Sequence, residues 1–320
     1  MILSPDAYGY PVRQNGAMGI WVCGEVLIDL IPVAAGSTDR APHVGGGPAN
    51  TAKALARLGH EVFFIDGIST DAYGEMSRAE LVNDEVKLNL AHKSELPTAL
   101  AIVSLDTHGS ASYEFKLSDT ATFDFKSDWL PDPSRYKPNV LHIGTLATVI
   151  NPGADALYDW ALQVAEFAPI VFDPNIRPAV LSNRDLYEAA IEKWAAISSV
   201  IKVSDDDLEW LFPDSSIDDV AERWISDGAA LVVVTRGSEG LIGFTADGAV
   251  EVPGVEVEVA DTVGAGDTVG AIIVEAMVEK GIMTLTGDVL QDVLHRAAKA
   301  AAITCSRPGA QPPYKHELKK

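Results

Sequence analysis

The second half of the chain alternates between short apolar segments and longer stretches in which apolar residues recur every three to four positions. The short segments are continuously apolar and rich in β-branched residues, which is typical of strands buried on both faces of a parallel sheet. The predicted strands are Val140–Ile143, Ile170–Phe172, Val200–Val203 and Leu231–Thr235. The predicted helices are Ala154–Phe167, Arg184–Ile197, Asp218–Ser226, Ala265–Lys280 and Val289–Cys305. Strands that alternate with amphipathic helices predict an α/β fold with a mainly parallel sheet covered on both faces.

The first half begins with a long apolar stretch, Ile20–Ile31, which predicts the first strand. A turn-rich segment follows, and Pro48–Leu58 then predicts a helix. Proline is favoured in the first turn of a helix, and Gly59 stands just beyond the last apolar position. Val62–Ile65 predicts the next strand.

Residues 97–125 have a pattern of their own. Ala99–Leu105 and Ser112–Leu117 are strand-like, and the turn-forming stretch Asp106–Ser110 joins them. Since no helical pattern lies between these strands, they predict an antiparallel hairpin set apart from the main sheet.

Composition favours an ordinary globular enzyme, with 47% hydrophobic and 22% charged residues. No apolar run reaches the roughly 18 residues that a membrane-spanning helix needs, so no membrane partner is predicted. Residues 1–18 are predicted to be a flexible leader without the pattern of a secretory signal, and Met18 is an alternative start. Cys23 and Cys305 do not suggest a disulfide framework. Together these features predict a cytoplasmic protein.

The net charge of −22, from 24 basic and 46 acidic residues, argues against binding to nucleic acid. The same charge opposes a nucleotide, so an ATP site would need local positive potential. The free N–H groups at the start of a helix, together with Mg²⁺, can supply that potential.

The motif that carries most chemistry is Asp261–Asp267, with the sequence Asp-Thr-Val-Gly-Ala-Gly-Asp, which leads into a predicted helix. Gly264 and Gly266 let backbone N–H groups approach an anion closely. Asp267, in the first turn, would stand beside that anion as a base, and transfer of a phosphoryl group to an alcohol needs both parts. Taken alone, the pattern favours a simple helix cap over a base at Asp267.

A second glycine-rich stretch, Gly45–Gly59, contains three glycines before a helix that starts with proline. It is suited to close approach of a ligand, and it is equally consistent with a tight turn. Neither stretch is a dinucleotide fingerprint, because the third glycine is replaced by Asn50 in one and by Val269 in the other. The sequence also contains no P-loop of the form Gly-x₄-Gly-Lys-Ser/Thr.

The two glycine-rich stretches, in this order, resemble the two signatures of the ribokinase-like (PfkB) family of carbohydrate kinases, and the match extends over nearly the whole chain after Met18. The resemblance implies a three-layer α/β/α domain with a mainly parallel sheet, plus a small β-sheet lid. It assigns residues 19–32, 45–96 and 126–320 to the main domain. It assigns residues 33–44 and 97–125 to a discontinuous lid that covers the sugar, and lids of this kind suggest a homodimer.

The resemblance also implies roles for the residues of the acceptor site. The residues implied to be catalytic are Asp267 as base, Gly264, Ala265 and Gly266 as anion hole, and Arg177. Those implied to bind the sugar are Asp29, Gly46, Gly47, Asn50, Asn175 and Arg177. The stretch Asp173–Arg177 resembles a motif of the fructokinase and 2-keto-3-deoxygluconate kinase branches.

For the nucleotide, the resemblance implies ATP with Mg²⁺, and in some members K⁺. The residues implied to bind ATP are Lys202, Thr235, Gly237, Gly240, Gly264 and Gly266. Asp205 would hold Mg²⁺ through water, although it stands where the family more often has a glutamate. Asp261 and Val263 would contribute to a K⁺ site. Asp206 and Asp207 are interpreted as helix-start charge.

The expected activity is ATP-dependent phosphorylation of a sugar hydroxyl, with fructose as the favoured acceptor and fructose 6-phosphate as the product. The alternative is 2-keto-3-deoxygluconate, whose carboxylate Arg177 could bind. A non-catalytic sugar- or partner-binding protein on the same fold is the other alternative. It is less favoured because Gly264, Gly266 and Asp267 are all present.

Overall fold

The computed structural model describes residues 19–34, 37–105 and 111–319. The expectations for the leader and for the turn Asp106–Ser110 therefore lie outside the described residues. The strands are β1 (Ile20–Cys23), β2 (Leu27–Pro32), β3 (Arg40–Gly45), β4 (Val62–Ile65), β5 (Gly67–Ser69), β6 (His92–Ser94), β7 (Leu100–Leu105), β8 (Ala111–Lys116), β9 (Val140–Gly144), β10 (Ile170–Asp173), β11 (Val200–Ser204), β12 (Leu231–Thr235), β13 (Leu241–Thr245) and β14 (Gly248–Val252). The helices are α1 (Gly47–Arg57), α2 (Ala72–Asn83), α3 (Pro133–Tyr136), α4 (Gly153–Ala165), α5 (Arg184–Ala195), α6 (Asp205–Leu211), α7 (Ile217–Ser226), α8 (Ala265–Lys280) and α9 (Gly287–Cys305).

The main sheet has the strand order β14-β13-β12-β11-β10-β9-β1-β4. Its strands from β4 to β12 are parallel, and β13 and β14 add an antiparallel edge. The predicted strands and helices of the second half are confirmed, with bounds shifted by no more than two residues. The pattern of apolar residues did not predict β3, β5, β6, β13, β14, α2, α3 or α6 as separate elements.

The alternation of side chains along each buried strand builds two cores, one on each face of the main sheet. On β1, Ile20 and Val22 pack in one core with apolar residues of α1, α8 and α9. Trp21 and Cys23 pack in the other core with residues of α4, α5 and α7. Because both faces are covered, the central strands are mostly apolar, with His142 in β9 and Lys202 in β11 as buried polar exceptions. This pattern confirms the expected layered α/β fold.

The prediction of one strand over Ile20–Ile31 is wrong. The strand of the main sheet ends at Cys23, and Gly24 has φ 139°, a conformation that residues with a side chain rarely adopt. The chain then enters a second sheet, the small sheet, in the order β3-β2-β7-β8. The sequence boundary at residue 32 groups Leu27–Pro32 with the main domain, whereas its hydrogen bonds place this strand in the small sheet.

The hairpin predicted within residues 97–125 is confirmed. Strands β7 and β8 pair antiparallel over Leu100–Leu105 and Ala111–Lys116, and β7 joins β2 as a parallel neighbour. Within the described residues, no helix combines the length and the apolar character needed to cross a bilayer.

The strand order reverses direction at β1. Its neighbour β4 follows it in sequence on one side, while the chain returns to place β9 on the other. Crevices at the carboxyl ends of parallel strands beside such a reversal are where α/β folds bind ligands. The segments that follow β1, β9, β10 and β11 all lead into this edge, where the starts of α1 and α8 meet.

Candidate active site

Helix α8 begins at a glycine-rich turn in which no side chain caps the first N–H groups. Gly264, the N-cap residue, has φ 79°, and a β-carbon there would lie only 2.7 Å from the β-carbon of Ala310. Glycine is therefore required both for the backbone angle and for the close approach of the C-terminal segment. The N–H of Ala265 bonds to the carbonyl oxygen of Thr262 at 3.3 Å. The other N–H groups of the first turn, together with the helix dipole, make this turn favourable for an anion.

Asp267 lies in the first turn of α8 and is buried, with 7% of its surface exposed. The side-chain amide of Asn50, on α1, donates to Oδ2 of Asp267 at 2.9 Å. Burial raises the pKa of Asp267 from 3.8 to about 6, and the nearby charge of Asp173 adds to this rise, whereas Lys202, Asn50 and Arg177 oppose it. A carboxylate with this pKa is ionised at neutral pH and can accept a proton from an alcohol.

Gly47, the first residue of α1, lies where three side chains of the site converge. A β-carbon at Gly47 would lie 2.9 Å from Nδ2 of Asn175, 3.1 Å from Oδ1 of Asp267 and 3.1 Å from Cγ2 of Thr145. The preceding Gly46 has φ 108°, and a β-carbon there would lie 2.3 Å from the carbonyl oxygen of Glu25. The bare backbone of these glycines keeps open the space in front of Asp267.

Lys202, on β11, is buried behind the glycine-rich turn of α8. Its Nζ donates to Oδ2 of Asp173 at 3.0 Å and lies 3.0 Å from the position of a β-carbon on Gly266. Although burial alone would lower it, the pKa of Lys202 is raised by the carboxylates of Asp173 and Asp267, so the lysine is positively charged. The ammonium group therefore contributes positive potential directly beneath the turn formed by residues 264–266, here called the anion turn.

Asp207 does more than place charge at a helix start. It is buried, and its Oδ1 accepts a hydrogen bond at 2.9 Å from the backbone N–H of Ile176 in the Asp173–Arg177 loop. Its other oxygen accepts the N–H of Ser204 and completes a capping box on α6. The interpretation of Asp207 as simple helix-start charge is wrong, since this carboxylate also fixes the loop that carries Asn175 and Arg177.

Arg177 and Asp29 lie on opposite walls of the site. The guanidinium of Arg177 donates to the carbonyl oxygens of Asn175 and Ile176, at 3.2 and 3.0 Å. Asp29 is half-buried on β2 of the small sheet, and burial raises its pKa to about 6 against the opposing charges of His43 and Arg177. Arg177 is thus close enough to act electrostatically on both Asp29 and Asp267.

Two buried oxygen atoms at the site have no hydrogen-bond partner among the described residues. These are Oδ1 of Asn50 and Oδ1 of Asp173. Buried polar atoms are normally paired, so unpaired acceptors that border a site point to ligand hydroxyl groups or water as their missing donors.

The residues expected on the nucleotide side lie at the ends of β11 and β12. Thr235 ends β12 and pairs in register with Ser204, and the next turn contains Gly237 and Gly240, with φ 50° and 103°. Burial raises the pKa of Asp205, at the start of α6, and the charges of Asp206 and Glu239 add to the rise. A carboxylate such as that of Asp205 is the kind of oxygen ligand that binds a hard cation such as Mg²⁺, directly or through water.

Asp261 connects the loop before α8 to the C-terminal segment. Its Oδ1 accepts the N–H of Val263 at 3.0 Å, and its Oδ2 accepts the N–H of Gly309 at 2.9 Å. The backbone N–H groups of Ala260 and Asp261 also bond to the carbonyl oxygen of Cys305. Asp261 and Val263 are therefore close together, as a shared cation site would require.

Sequence reasoning missed Glu25 and Thr145. Glu25 is buried between β1 and β2, where it accepts the hydroxyl of Thr145 and, at 3.3 Å, the N–H of Ala147. Only the unusual position of a glutamate inside an apolar stretch could have indicated its importance. Nothing in the local sequence marks Thr145, because its backbone angle is a property of the fold.

A buried carboxylate at one glycine-rich helix start, bonded to a residue of a second glycine-rich helix start, is an arrangement suited to an α/β kinase that acts on small molecules. The sequence model of the family described as pfkB family carbohydrate kinase matches residues 19–317. A fructokinase of Rhizobium leguminosarum bv. trifolii is 36% identical over 267 residues, which cover 83% of this chain and 81% of that protein. The chain belongs to the pfkB family of carbohydrate kinases.

Solved structures agree with the fold. Fructokinase from Xylella fastidiosa with bound ATP has a TM-score of 0.86 at 24% identity, covering 93% of this chain and 97% of that one. Fructokinase from Vibrio cholerae O395, bound to fructose, ADP and calcium ion, has a TM-score of 0.81 at 26% identity, with coverages of 93% and 97%. A double mutant of the latter was solved with fructose, ADP and potassium ion.

Proposed function

We propose that this chain is a fructokinase that transfers the γ-phosphoryl group of ATP to the 6-hydroxyl of D-fructose. The observation that carries the proposal is the buried carboxylate of Asp267, held by Asn50 at the start of α8. The curated relatives and the Vibrio cholerae structure named above are fructokinases, which favours fructose over 2-keto-3-deoxygluconate. The presence of the base and of the anion-turn glycines argues against a non-catalytic binding protein.

In the proposed mechanism Asp267 acts as general base through Oδ1. Asn50 occupies Oδ2, and Oδ1, which lies 3.1 Å from the β-carbon position of Gly47, is the oxygen left for the sugar hydroxyl. It would accept the proton of the sugar hydroxyl while the hydroxyl oxygen bonds to the γ-phosphorus and the bond from that phosphorus to the bridging oxygen of ADP breaks. An alcohol is too weak an acid to ionise beforehand, so proton removal accompanies attack.

The anion turn would stabilise the charge on the transferring phosphoryl group. The N–H groups of Gly264, Ala265 and Gly266 would donate to its oxygens, and Lys202 would add positive potential from beneath. Arg177 would approach the phosphoryl group from the Asp173–Arg177 loop, where its charge already acts on Asp267. These donors are fixed before the substrate binds, so little reorganisation would accompany the reaction.

The sugar would bind between the Asp173–Arg177 loop and the small sheet. Asp29 would accept hydrogen bonds from two sugar hydroxyls, and Asn50 and Asn175 would bind others close to the base. The backbone of Gly46 and Gly47 would form the floor. The small sheet would act as the lid that keeps water from taking the phosphoryl group.

ATP would lie over the carboxyl ends of β11 and β12, with Thr235, Gly237 and Gly240 at the nucleotide loop. Asp205, with Glu239 nearby, would hold Mg²⁺ through water, and the ion would screen the charge of the phosphates. Asp261 and Val263 would contribute to a K⁺ site beside the anion turn. A homodimer formed through the small sheets and a cytoplasmic location complete the proposal.

The direct test is ADP release with Mg-ATP and a panel of fructose, 2-keto-3-deoxygluconate, ribose, glucose and adenosine. We expect kcat/KM to be highest for fructose and the product to be fructose 6-phosphate by NMR. A higher kcat/KM for the keto acid would overturn the proposed substrate. Binding of fructose and ATP without turnover would instead favour the non-catalytic alternative.

Replacing Asp29 by alanine is expected to raise the KM for fructose about 10- to 100-fold, the range for losing hydrogen bonds to a charged group. The KM for ATP should stay within about twofold, because Asp29 lies on the small sheet and not at the anion turn. Steady-state kinetics with each substrate varied in turn provides the measurement. Asp39→Ala, an exposed aspartate near the same sheet, is the control. An equal loss for both substrates would contradict the role of Asp29.

A further inference from the structure

Thr145 has a backbone conformation that threonine rarely adopts. It follows the last residue of β9 and has φ 59°, in the left-handed region. A β-branched residue is strained there, and such residues persist only where their surroundings hold them in place. The unusual angle is therefore a feature that other groups of the structure must maintain.

Glu25 is the group that holds Thr145. It is buried, with 3% of its surface exposed, and its Oε1 accepts the hydroxyl of Thr145. Its Oε2 accepts the N–H of Ala147 at 3.3 Å, so the carboxylate spans the turn that contains Thr145. Thr148 adds a bond from its hydroxyl to the carbonyl oxygen of Thr145 at 2.7 Å.

The hydroxyl of Thr145 is directed to Glu25, and its methyl group is therefore left for the site. Its Cγ2 lies 3.1 Å from the β-carbon position of Gly47. The same position is 3.1 Å from Oδ1 of Asp267 and 2.9 Å from Nδ2 of Asn175. The methyl group of Thr145 and Oδ1 of Asp267 thus border the same point above Gly47, where the methyl group forms an apolar wall.

We propose that Glu25 is a positioning residue for the acceptor sugar, acting through Thr145. By fixing the hydroxyl of Thr145, Glu25 keeps the residue left-handed, and the methyl group then limits where the acceptor carbon can lie relative to Asp267. Near-attack alignment depends on sub-ångström placement, so loss of this wall reduces productive binding of the sugar. The inference rests on the proposed fructokinase activity.

A double-mutant cycle tests the link between the two residues. Glu25→Gln keeps the size of the side chain, but its amide N–H₂ group must face one of the two donors that Glu25 binds, the hydroxyl of Thr145 and the N–H of Ala147. Because two donors then face each other, the restraint on Thr145 is weaker. Thr145→Gly adopts φ 59° without strain and removes the methyl group. The four proteins of the cycle are compared by their KM values for fructose and for ATP and by thermal unfolding.

Glu25→Gln is expected to raise the KM for fructose about tenfold, within the coupling known for contacting residues, while the KM for ATP stays within about twofold. Thr145→Gly should raise the KM for fructose similarly. Adding Glu25→Gln to Thr145→Gly should change it by less than about threefold, because the residue on which Glu25 acts is no longer restrained. The proposal would be overturned if the KM for fructose of the double variant rose by the product of the two single-variant increases. It would also be overturned if the KM for ATP rose as much as the KM for fructose.

Thr145→Ser gives a second test that does not alter the buried glutamate. It keeps the hydroxyl and removes only the methyl group, so the KM for fructose should rise several-fold while the unfolding temperature changes little. The matched control is Thr120→Ser, a buried threonine whose hydroxyl donates to the carbonyl of Leu117 at 2.6 Å. An unchanged KM in Thr145→Ser would overturn the inference, even if Glu25→Gln fails to fold.

The outcomes also separate this inference from the proposed function. If the unmodified protein does not phosphorylate fructose, the proposed function fails, and the KM values of the cycle for fructose do not exist. If it does phosphorylate fructose and the cycle shows independent effects, only the role of Glu25 and Thr145 is overturned.

Discussion

Replacing Asp267 by asparagine is expected to lower kcat by about 10²- to 10⁴-fold, the usual contribution of a general base. Asparagine has nearly the same shape and can still accept the hydrogen bond from Asn50, but it cannot take the proton of the sugar hydroxyl. The measurement is kcat with saturating fructose and Mg-ATP. Asp288→Asn, an exposed aspartate in the first turn of α9, serves as the control and should retain full activity. Near-normal turnover of Asp267→Asn would exclude Asp267 as the base.

The same substitution is expected to change how stability depends on pH. Burial raises the pKa of Asp267 from 3.8 to about 6, so the folded protein binds this proton more tightly than the unfolded chain does. The resulting stabilisation is fully present below pH 3.8 and is lost as pH rises through about 6.

Asp267→Asn removes this dependence, so the variant should gain stability relative to the unmodified protein between pH 4 and pH 8, by up to about 3 kcal/mol. Denaturant unfolding of both proteins at several pH values measures the difference, in which the contributions of Asp29 and of other shared groups cancel. A difference that does not vary with pH would contradict the raised pKa. Activity of the unmodified enzyme should rise with pH through about 6, since the base must be ionised.

Replacing Lys202 by methionine is expected to lower the free energy of unfolding by about 3–5 kcal/mol, the cost of leaving a buried charge without its partner. Lys202 is 3% exposed and is bonded to Asp173 at 3.0 Å. Its charge also acts on the buried carboxylates of Asp207 and Asp267. Without the lysine, these three groups would repel one another in a low-dielectric environment.

The double variant Lys202→Met with Asp173→Asn should recover part of the lost stability, because it removes one of the uncompensated charges. It should not recover activity, because the positive potential beneath the anion turn is still missing. In the single variant the pKa of Asp267 should rise further, because the lysine that lowers it is absent. The pH at which kcat/KM reaches half of its maximum should therefore shift to a higher value.

Lys87→Met provides the matched surface control, since Lys87 is exposed and pairs with Glu61 only at 3.9 Å. Its effect should stay within about 1 kcal/mol. A similar small effect of Lys202→Met, measured by chemical denaturation, would show that the buried ion pair does not carry the expected energy.

The elements that sequence predicted well are those whose signal is local. Leu231–Thr235 and Ala265–Lys280 have the predicted bounds, because a buried strand needs continuous apolar residues and a helix needs its own start signal. The stretch Ile20–Ile31 was wrongly predicted as one strand because its local signal, continuous apolar residues, does not show where one strand ends and the next begins. Both strands within it are apolar, and only the conformation of Gly24 and the pairing of Leu27–Pro32 with β3 and β7 separate them into two sheets.

The candidate site divides in a similar way. The glycines of both helix starts could be found from sequence, because their chemistry depends on residues adjacent in the chain, and Asp267 was singled out as a base through the family resemblance. Asp206 and Asp207 look alike in sequence, yet one is exposed and the other is buried against Ile176, because only one of them faces the Asp173–Arg177 loop. The left-handed angle of Thr145 has no local signal at all.

The sequence by itself determined the layered α/β class and the two glycine-rich helix starts, since each follows from short-range periodicity or from neighbouring residues. The resemblance to the family singled out Asp267 as the proposed general base. Only the tertiary structure decided that Asn50 contacts Asp267 and that Lys202 pairs with Asp173 beneath the anion turn. The same holds for Glu25, which binds Thr145 across 120 residues of chain. These pairs are far apart in sequence, and they meet because parallel strands bring their carboxyl ends to one edge of the sheet, where burial then sets the charges and pKa values on which the chemistry depends.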